Sequence, residues 1–158
     1  MAILEKLQRL LDLRGINYQV HPHPEAFTAK ALARAEHVGP DHVTKVVVTC
    51  SGDQMQMVLV PASRRIDMRA LRHALGAREV HLADEGEIND IFSQCETGAV
   101  PPFGGFWDIP VWMDETLSRN REMIFAGGNH HETVHMNYSD FEQLVHPRHA
   151  HFSQAYDL

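Results

Sequence analysis

The chain has 158 residues, 44% hydrophobic and 22% charged, the proportions of a globular domain with a core of its own. A formal charge of −7 excludes a broad phosphate-gripping surface, so no DNA partner is expected and any RNA contact must be local. Two cysteines, Cys50 and Cys95, sit in apolar surroundings without CxxC spacing and fit a reduced, cytosolic setting. The amphipathic start "MAILEKLQRLL" is unlike a signal peptide, no apolar run is long enough to span a membrane, and the sequon at Asn137 carries no weight in that compartment.

Leu4, Leu7, Leu10 and Leu11 recur at helical spacing, and Gly15 supplies a stop. "INYQV", from Ile16 to Val20, alternates like a strand, and "HPHP" then breaks the backbone. Thr28 is placed to cap a short helix, "AKALARAEHV". "VTKVVVTC" and "QMQMVLVP" are β-like runs joined by Ser51-Gly52-Asp53, the pattern of a hairpin. Asp67 caps "MRALRHAL" and Gly76 ends it. Strand-like "REVHL" follows, then Asp84 and Glu87 open "EGEINDIF" as a capping box. "IPVWMD", "REMIFAGG" and "ETVHMNY" read as three more strands. Ser139 with Glu142 forms a second capping box for "DFEQLV", which Pro147 stops. No repeat or composition break divides the chain. The prediction is one α+β domain over residues 1–158, a mixed sheet with helices between hairpins and a C-terminal tail from about residue 147.

Four features could carry chemistry. Lys45 heads "KVVVTC", where an ammonium is costly unless its stem packs and its head reaches water, or an anion meets it. "GAVPPFGG" is either an ordinary turn or a preshaped backbone nest whose N–H groups face a carbonyl oxygen or a ribose. In the second reading Pro101 and Pro102 hold the shape, Gly98 allows close approach, and Val100 and Phe103 wall a pocket. "FAGGNHHETVHM" sets Gly127 and Gly128 beside Asn129, His130 and His131, as a hairpin tip or as a pocket border. Twelve histidines invite a metal, but His131 and His135 fall on a strand, His146, His149 and His151 crowd the tail, and His21 and His23 flank prolines. No acidic or cysteine ligand is spaced to complete any of these sets, and no GxSxG elbow announces a serine nucleophile.

Taken together, "TKVVVTCSGDQMQMVLVPASRRIDMRALRHALGA", "TGAVPPFG" and "FAGGNHHETVHM" resemble the YbaK/prolyl-tRNA synthetase-associated editing-domain family, in order and distance, from the first helix to about Leu144. Lys45 matches the lysine that begins the family's apolar strand, Gly98 and Pro102 its G-x-x-x-P loop, and Gly127 its later glycine turn. The resemblance implies a single domain around a curved, mixed, largely antiparallel sheet. It implies a freestanding cytoplasmic aminoacyl-tRNA deacylase that uses no metal or cofactor. Its partners would be the acceptor end of an aminoacyl-tRNA and a synthetase such as prolyl-tRNA synthetase. On this reading Lys45, Gly98, Ala99, Val100 and Pro102 are the catalytic set: peptide N–H groups stabilise the oxyanion and Lys45 holds phosphate or ribose. Phe103, Gly127, Gly128, Asn129, His130 and His131 are the substrate-binding set. Cysteine-editing members carry a serine before the glycine pair and an acidic residue a few positions later. Ala126 and Thr133 stand there in this chain, so His130 and His131 are expected to shape a different amino-acid pocket. The rival readings are a noncatalytic module that binds an aminoacyl-tRNA end or a synthetase, and a metal-dependent hydrolase built on the histidines.

Overall fold

The apolar run of the central hairpin becomes a sheet covered on both faces. The structure, a computed structural model, describes residues 3–156. Strands β2 (Thr44–Ser51) and β3 (Gln54–Pro61) pair antiparallel from Thr44–Pro61 to Ser51–Gln54, turning through Gly52 and Asp53. On one face of β3, Met57 and Leu59 join the main core; on the other, Val58 and Val60 pack with Leu71 and Phe152. Burial on both faces is why these strands read as continuous rather than alternating apolar segments.

Antiparallel β5 (His81–Leu82) flanks β2, while β6 (Val111–Asp114) and β9 (Arg148–Ala150) extend the sheet beyond β3 in parallel, giving the order β5-β2-β3-β6-β9. A second, fully antiparallel sheet runs β1-β8-β7, from β1 (Tyr18–Pro22), β7 (Glu122–Ala126) and β8 (Glu132–Asn137). The expected single curved sheet is thus divided, and a lone parallel bridge between Val43 and Ile124 joins the pieces. The α+β class stands.

The helices fall where capping and periodicity place them. Helix α1 (Glu5–Leu13) buries Leu7 and Leu11 and gives way to Gly15. In α2 (Ala29–Ala35) the Thr28 hydroxyl accepts from the Ala31 N–H, and Leu32 and Ala33 face inward. Asp67 caps α3 (Met68–Leu75), and Asp84 with Glu87 forms the reciprocal box of α4 (Glu85–Ile91). Helix α5 (Tyr138–Val145) differs from expectation: its N-cap is Asn137, without a side-chain cap, and Ser139 lies inside the first turn. Glu142 instead accepts from the Tyr138 hydroxyl and contacts His149, partners the local pattern does not reveal.

Two further corrections concern the chain ends. Strand β1 runs on through His21 and Pro22, where a break was expected. As an edge strand it tolerates a proline, whose missing N–H would otherwise leave a gap in the ladder. The described part of the C-terminal tail, to residue 156, is structured: besides β9, β10 (Ser153–Ala155) pairs with β4 (Arg64–Ile66). A buried carboxylate holds it there. Asp114 accepts from the N–H groups of Phe152 and Ser153, each at 2.9 Å, from the Ser153 hydroxyl at 2.7 Å, and from Thr116. Burial pushes this carboxyl up, but the bonds from Thr116, Phe152 and Ser153 outweigh it and hold the group below its ordinary value.

Among the described residues no helix is long and apolar enough to cross a membrane.

Candidate functional site

The hairpin, the N-terminal side of α2 and the Gly98 loop meet at Lys45. Two clefts open there and share four lining residues: Lys45, Val46, Gly98 and Val100. The first, about 430 Å³ including its mouth, is walled by Phe27, Leu32, Ala126 and His130. The second, about 790 Å³ and more apolar, opens beside Val48, Leu82 and Ile88. Three of the five residues expected to be catalytic therefore stand on the rim common to both clefts.

The loop's hydrogen bonds show which amides remain available. The Ala99 N–H is used on the Glu96 carbonyl at 3.0 Å, and Pro101 and Pro102 have none to give. Among the described residues, the N–H groups of Gly98 and Val100 meet no acceptor. Gly98 has φ +85°, in the left-handed region, which leaves its amide orientation to a residue without a Cβ. Ala99 and Pro102 are buried and line neither cleft.

The substrate-binding set divides sharply. His130 lines the first cleft, but both ring nitrogens face carbonyl oxygens, Ala26 at 3.0 Å and Thr97 at 2.7 Å. Its own N–H meets the Glu96 carboxylate at 3.2 Å, so it ties three chain segments together around the cleft. Phe103 is in the main core, its ring 5.6 Å from those of Phe125 and Phe141, and does not line either cleft. Gly127 and Gly128 lie against the start of α1. A Cβ on Gly127 would sit 2.7 Å from Ile3 Cγ2, and its carbonyl accepts from the Leu4 N–H at 2.7 Å. Asn129 is buried in the turn, where its amide oxygen accepts from the His131 N–H at 2.8 Å. His131 is half exposed beside Glu25.

Residues that the sequence pattern did not single out complete the site. Lys45 Nζ donates to the Arg64 carbonyl and to the Tyr156 hydroxyl, each at 3.0 Å, and has no carboxylate partner among the described residues. Lys30 Nζ lies 3.9 Å from the centre of the Tyr156 ring, a cation–π contact. The hydrogen bond from Lys45, with the nearby charges of Lys30 and Arg65, lowers the Tyr156 phenol despite its partial burial. A positive patch thus exists within an acidic chain. The β4–β10 pairing, between segments far apart in sequence, brings Tyr156 to it, with the Asp114 bonds to Phe152 and Ser153.

Neither thiol is an activated nucleophile. Burial pushes Cys95 up to about 11, with Lys6 partly offsetting it, and raises Cys50, where Glu87 and Asp84 add to the effect. The histidines are more informative. Glu36, at the end of α2, completes a set with His21 and His135 that sequence spacing did not show. None of these three lines either cleft.

Fold and site together define an α+β domain with a lysine-headed cleft between a hairpin and a glycine–proline loop. The chain belongs to the aminoacyl-tRNA editing domain family, whose model matches residues 23–144. It is 29% identical over 105 residues to the proline–tRNA ligase of Lactobacillus helveticus, covering 66% of this chain and 18% of that one. The Shouchella clausii proline–tRNA ligase is 27% identical over 106 residues, 67% of this chain and again 18% of the ligase. The chain therefore spans less than a fifth of the length of these relatives. A crystal structure of a candidate trans-editing enzyme for prolyl-tRNA synthetase shares the fold, with a TM-score of 0.82 at 22% identity over 98% of this chain and 100% of the other.

Proposed function

We propose that this protein is a cytoplasmic deacylase that hydrolyses the ester between a wrongly attached amino acid and the terminal adenosine of a tRNA, tRNA-Pro or a similar tRNA. The observation that carries the reading is the common rim of the two clefts, where Lys45 meets the Gly98 and Val100 N–H groups, which have no acceptor among the described residues.

In this reading the aminoacyl group enters the first cleft and the adenosine rests on the apolar wall of the second. An aminoacyl ester is an activated carbonyl, so no protein nucleophile is required. Water attacks the carbonyl carbon, and the oxyanion takes hydrogen bonds from the Gly98 and Val100 N–H groups. The C–O bond to the ribose then breaks, the proton lost by water reaches the departing ribose oxygen, and free amino acid and tRNA result. The neighbouring 2′-hydroxyl is positioned to relay that proton. Donors fixed before reaction act with little reorganisation in a partly dry cleft. Lys45, with Lys30 beside it, supplies positive charge for the terminal phosphate. Contact limited to the acceptor end agrees with the −7 net charge, and a synthetase such as prolyl-tRNA synthetase would present that end.

The test is deacylation of a panel of mischarged tRNAs by wild type and Lys45→Ala. Hydrolysis of at least one member, reduced by the substitution, is the expected result. Binding of the panel without hydrolysis by wild type replaces the proposal with a noncatalytic aminoacyl-tRNA-binding module.

A further inference from the structure

We infer that His21, Glu36 and His135 form a binding site for a borderline first-row dication, zinc above all, separate from the cleft. Register brings the ligands together. In the β1–β8 ladder Gln19 lies opposite His135 and His21 opposite Thr133, so alternation puts these four residues on one face. Glu122 of β7 lies on the same face, two residues from Ile124, the partner of His135. Glu36, just past α2, meets that face from above. Its Oε2 is 2.8 Å from His135 Nε2 and its Oε1 is 3.2 Å from His21 Nδ1.

The outer nitrogens are also held. His135 Nδ1 is 3.2 Å from a Glu122 carboxylate oxygen, and His21 Nε2 is 2.9 Å from the Gln19 side-chain oxygen. A ring that donates its outer N–H to such an acceptor turns the lone pair of its inner nitrogen toward Glu36. The rings stack with centroids 4.0 Å apart, so two lone pairs then face the Glu36 carboxylate side by side, an arrangement that a cation relieves once one ring turns out of the stack. Outer partners of this kind fix the orientation of metal-binding imidazoles.

The three ligand atoms lie within 4.8 Å of one another; tetrahedral zinc bonds of roughly 2.0–2.1 Å set ligands about 3.3–3.4 Å apart, so side-chain rotation must draw the widest pair in by somewhat more than about 1 Å. His135 and Glu36 are buried, with side chains 8% and 5% exposed, whereas His21 is 41% exposed and leaves the fourth position open to water. Two imidazoles and one carboxylate favour zinc, cobalt or nickel over calcium or magnesium. The ion would fasten the C-terminal end of α2 to the β1–β8 ladder, while Leu32 of that helix walls the first cleft. Its role is thus structural support, and it does not depend on the proposed reaction.

The site is tested by titrating metal-free protein with cobalt(II), following visible absorption, and by zinc competition against a chelating dye. Wild type is expected to bind one ion per chain with the absorption of a four-coordinate site, and zinc should raise its melting temperature. His21→Ala and Glu36→Gln should lose both signals, and Gln19→Ala should bind about 10–100-fold more weakly. Two variants guard against a folding defect, and His21 is well exposed; circular dichroism of each verifies the fold. If wild type binds no ion, or folded His21→Ala and Glu36→Gln bind as tightly as wild type, the inference is wrong and the cluster is held by protons alone.

Discussion

Replacing Gly98 with alanine separates the loop's part in catalysis from its part in folding. At φ +85° a residue with a Cβ bears a left-handed penalty of roughly 1–2 kcal/mol. The new methyl adds no clash, since its nearest neighbours, His130 Cε1 and the Phe27 carbonyl oxygen, would both be 3.6 Å away. A domain with at least about 5 kcal/mol of stability stays about 99% folded or better after such a loss. The same substitution alters one of two positions, the other being Val100, that line both clefts and carry an amide without an acceptor among the described residues. Alanine keeps the N–H, so the rate falls through the methyl at the cleft rim and through any turning of that amide. Full loss of an aimed donor costs about 2.7–4 kcal/mol of barrier, which caps the expected fall in kcat at roughly 100- to 1000-fold. Gly15→Ala is the matched control: φ is +65°, nothing lies within 4 Å of its Cβ, and it lines neither cleft. Urea unfolding gives the stability change, and single-turnover deacylation of a responsive mischarged tRNA gives the rate. Comparable stability losses, with a large rate loss at Gly98 alone, are expected. A folded Gly98→Ala protein with wild-type turnover would refute the requirement for a bare backbone at this position of the loop.

Gly127→Ala should show the opposite balance. Its Cβ would intrude to 2.7 Å from Ile3, so overpacking is expected to cost about 1–3 kcal/mol in urea unfolding, with deacylation per folded molecule retained. Acid stability should report on Asp114. Because its folded-state carboxyl is held below the ordinary value of 3.8, its contribution is fully present above that value and is lost as pH falls through the lower folded one. Asp114→Asn should cost about 1–3 kcal/mol at neutral pH and flatten the fall in stability below about pH 4, measured by urea unfolding across pH. A parallel acid profile in both proteins would assign that loss to other carboxylates.

Much of the fold was legible because its causes are local. Asp67 and Asp84 bond amides two or three residues away, and the turn at Gly52 depends on neighbouring φ angles. The helix α5 start was misjudged because a serine and a glutamate three residues apart do not cap unless the preceding backbone is extended at the serine. That turn falls instead at Asn137. Strands β4, β9 and β10 are not legible in the sequence because each has only three residues and includes polar ones. Distant partners and the buried Asp114 bonds, rather than their own composition, make them strands.

For the site, residue types along the chain were enough to pick out the lysine at the head of β2 and the glycine–proline loop. Each is chemically unusual where it stands: an ammonium in an apolar run, and a stiff loop without charge. Folding determined which neighbours they acquired. It brought Tyr156 to Lys45, left the Gly98 and Val100 amides at the cleft rim without acceptors among the described residues, and sent Phe103 and Gly127 into packing. It also brought Glu36 between two histidines more than a hundred residues apart. Sequence spacing encodes contacts within a turn or along a strand, whereas strand register and helix docking set those between distant segments, and both depend on the whole core.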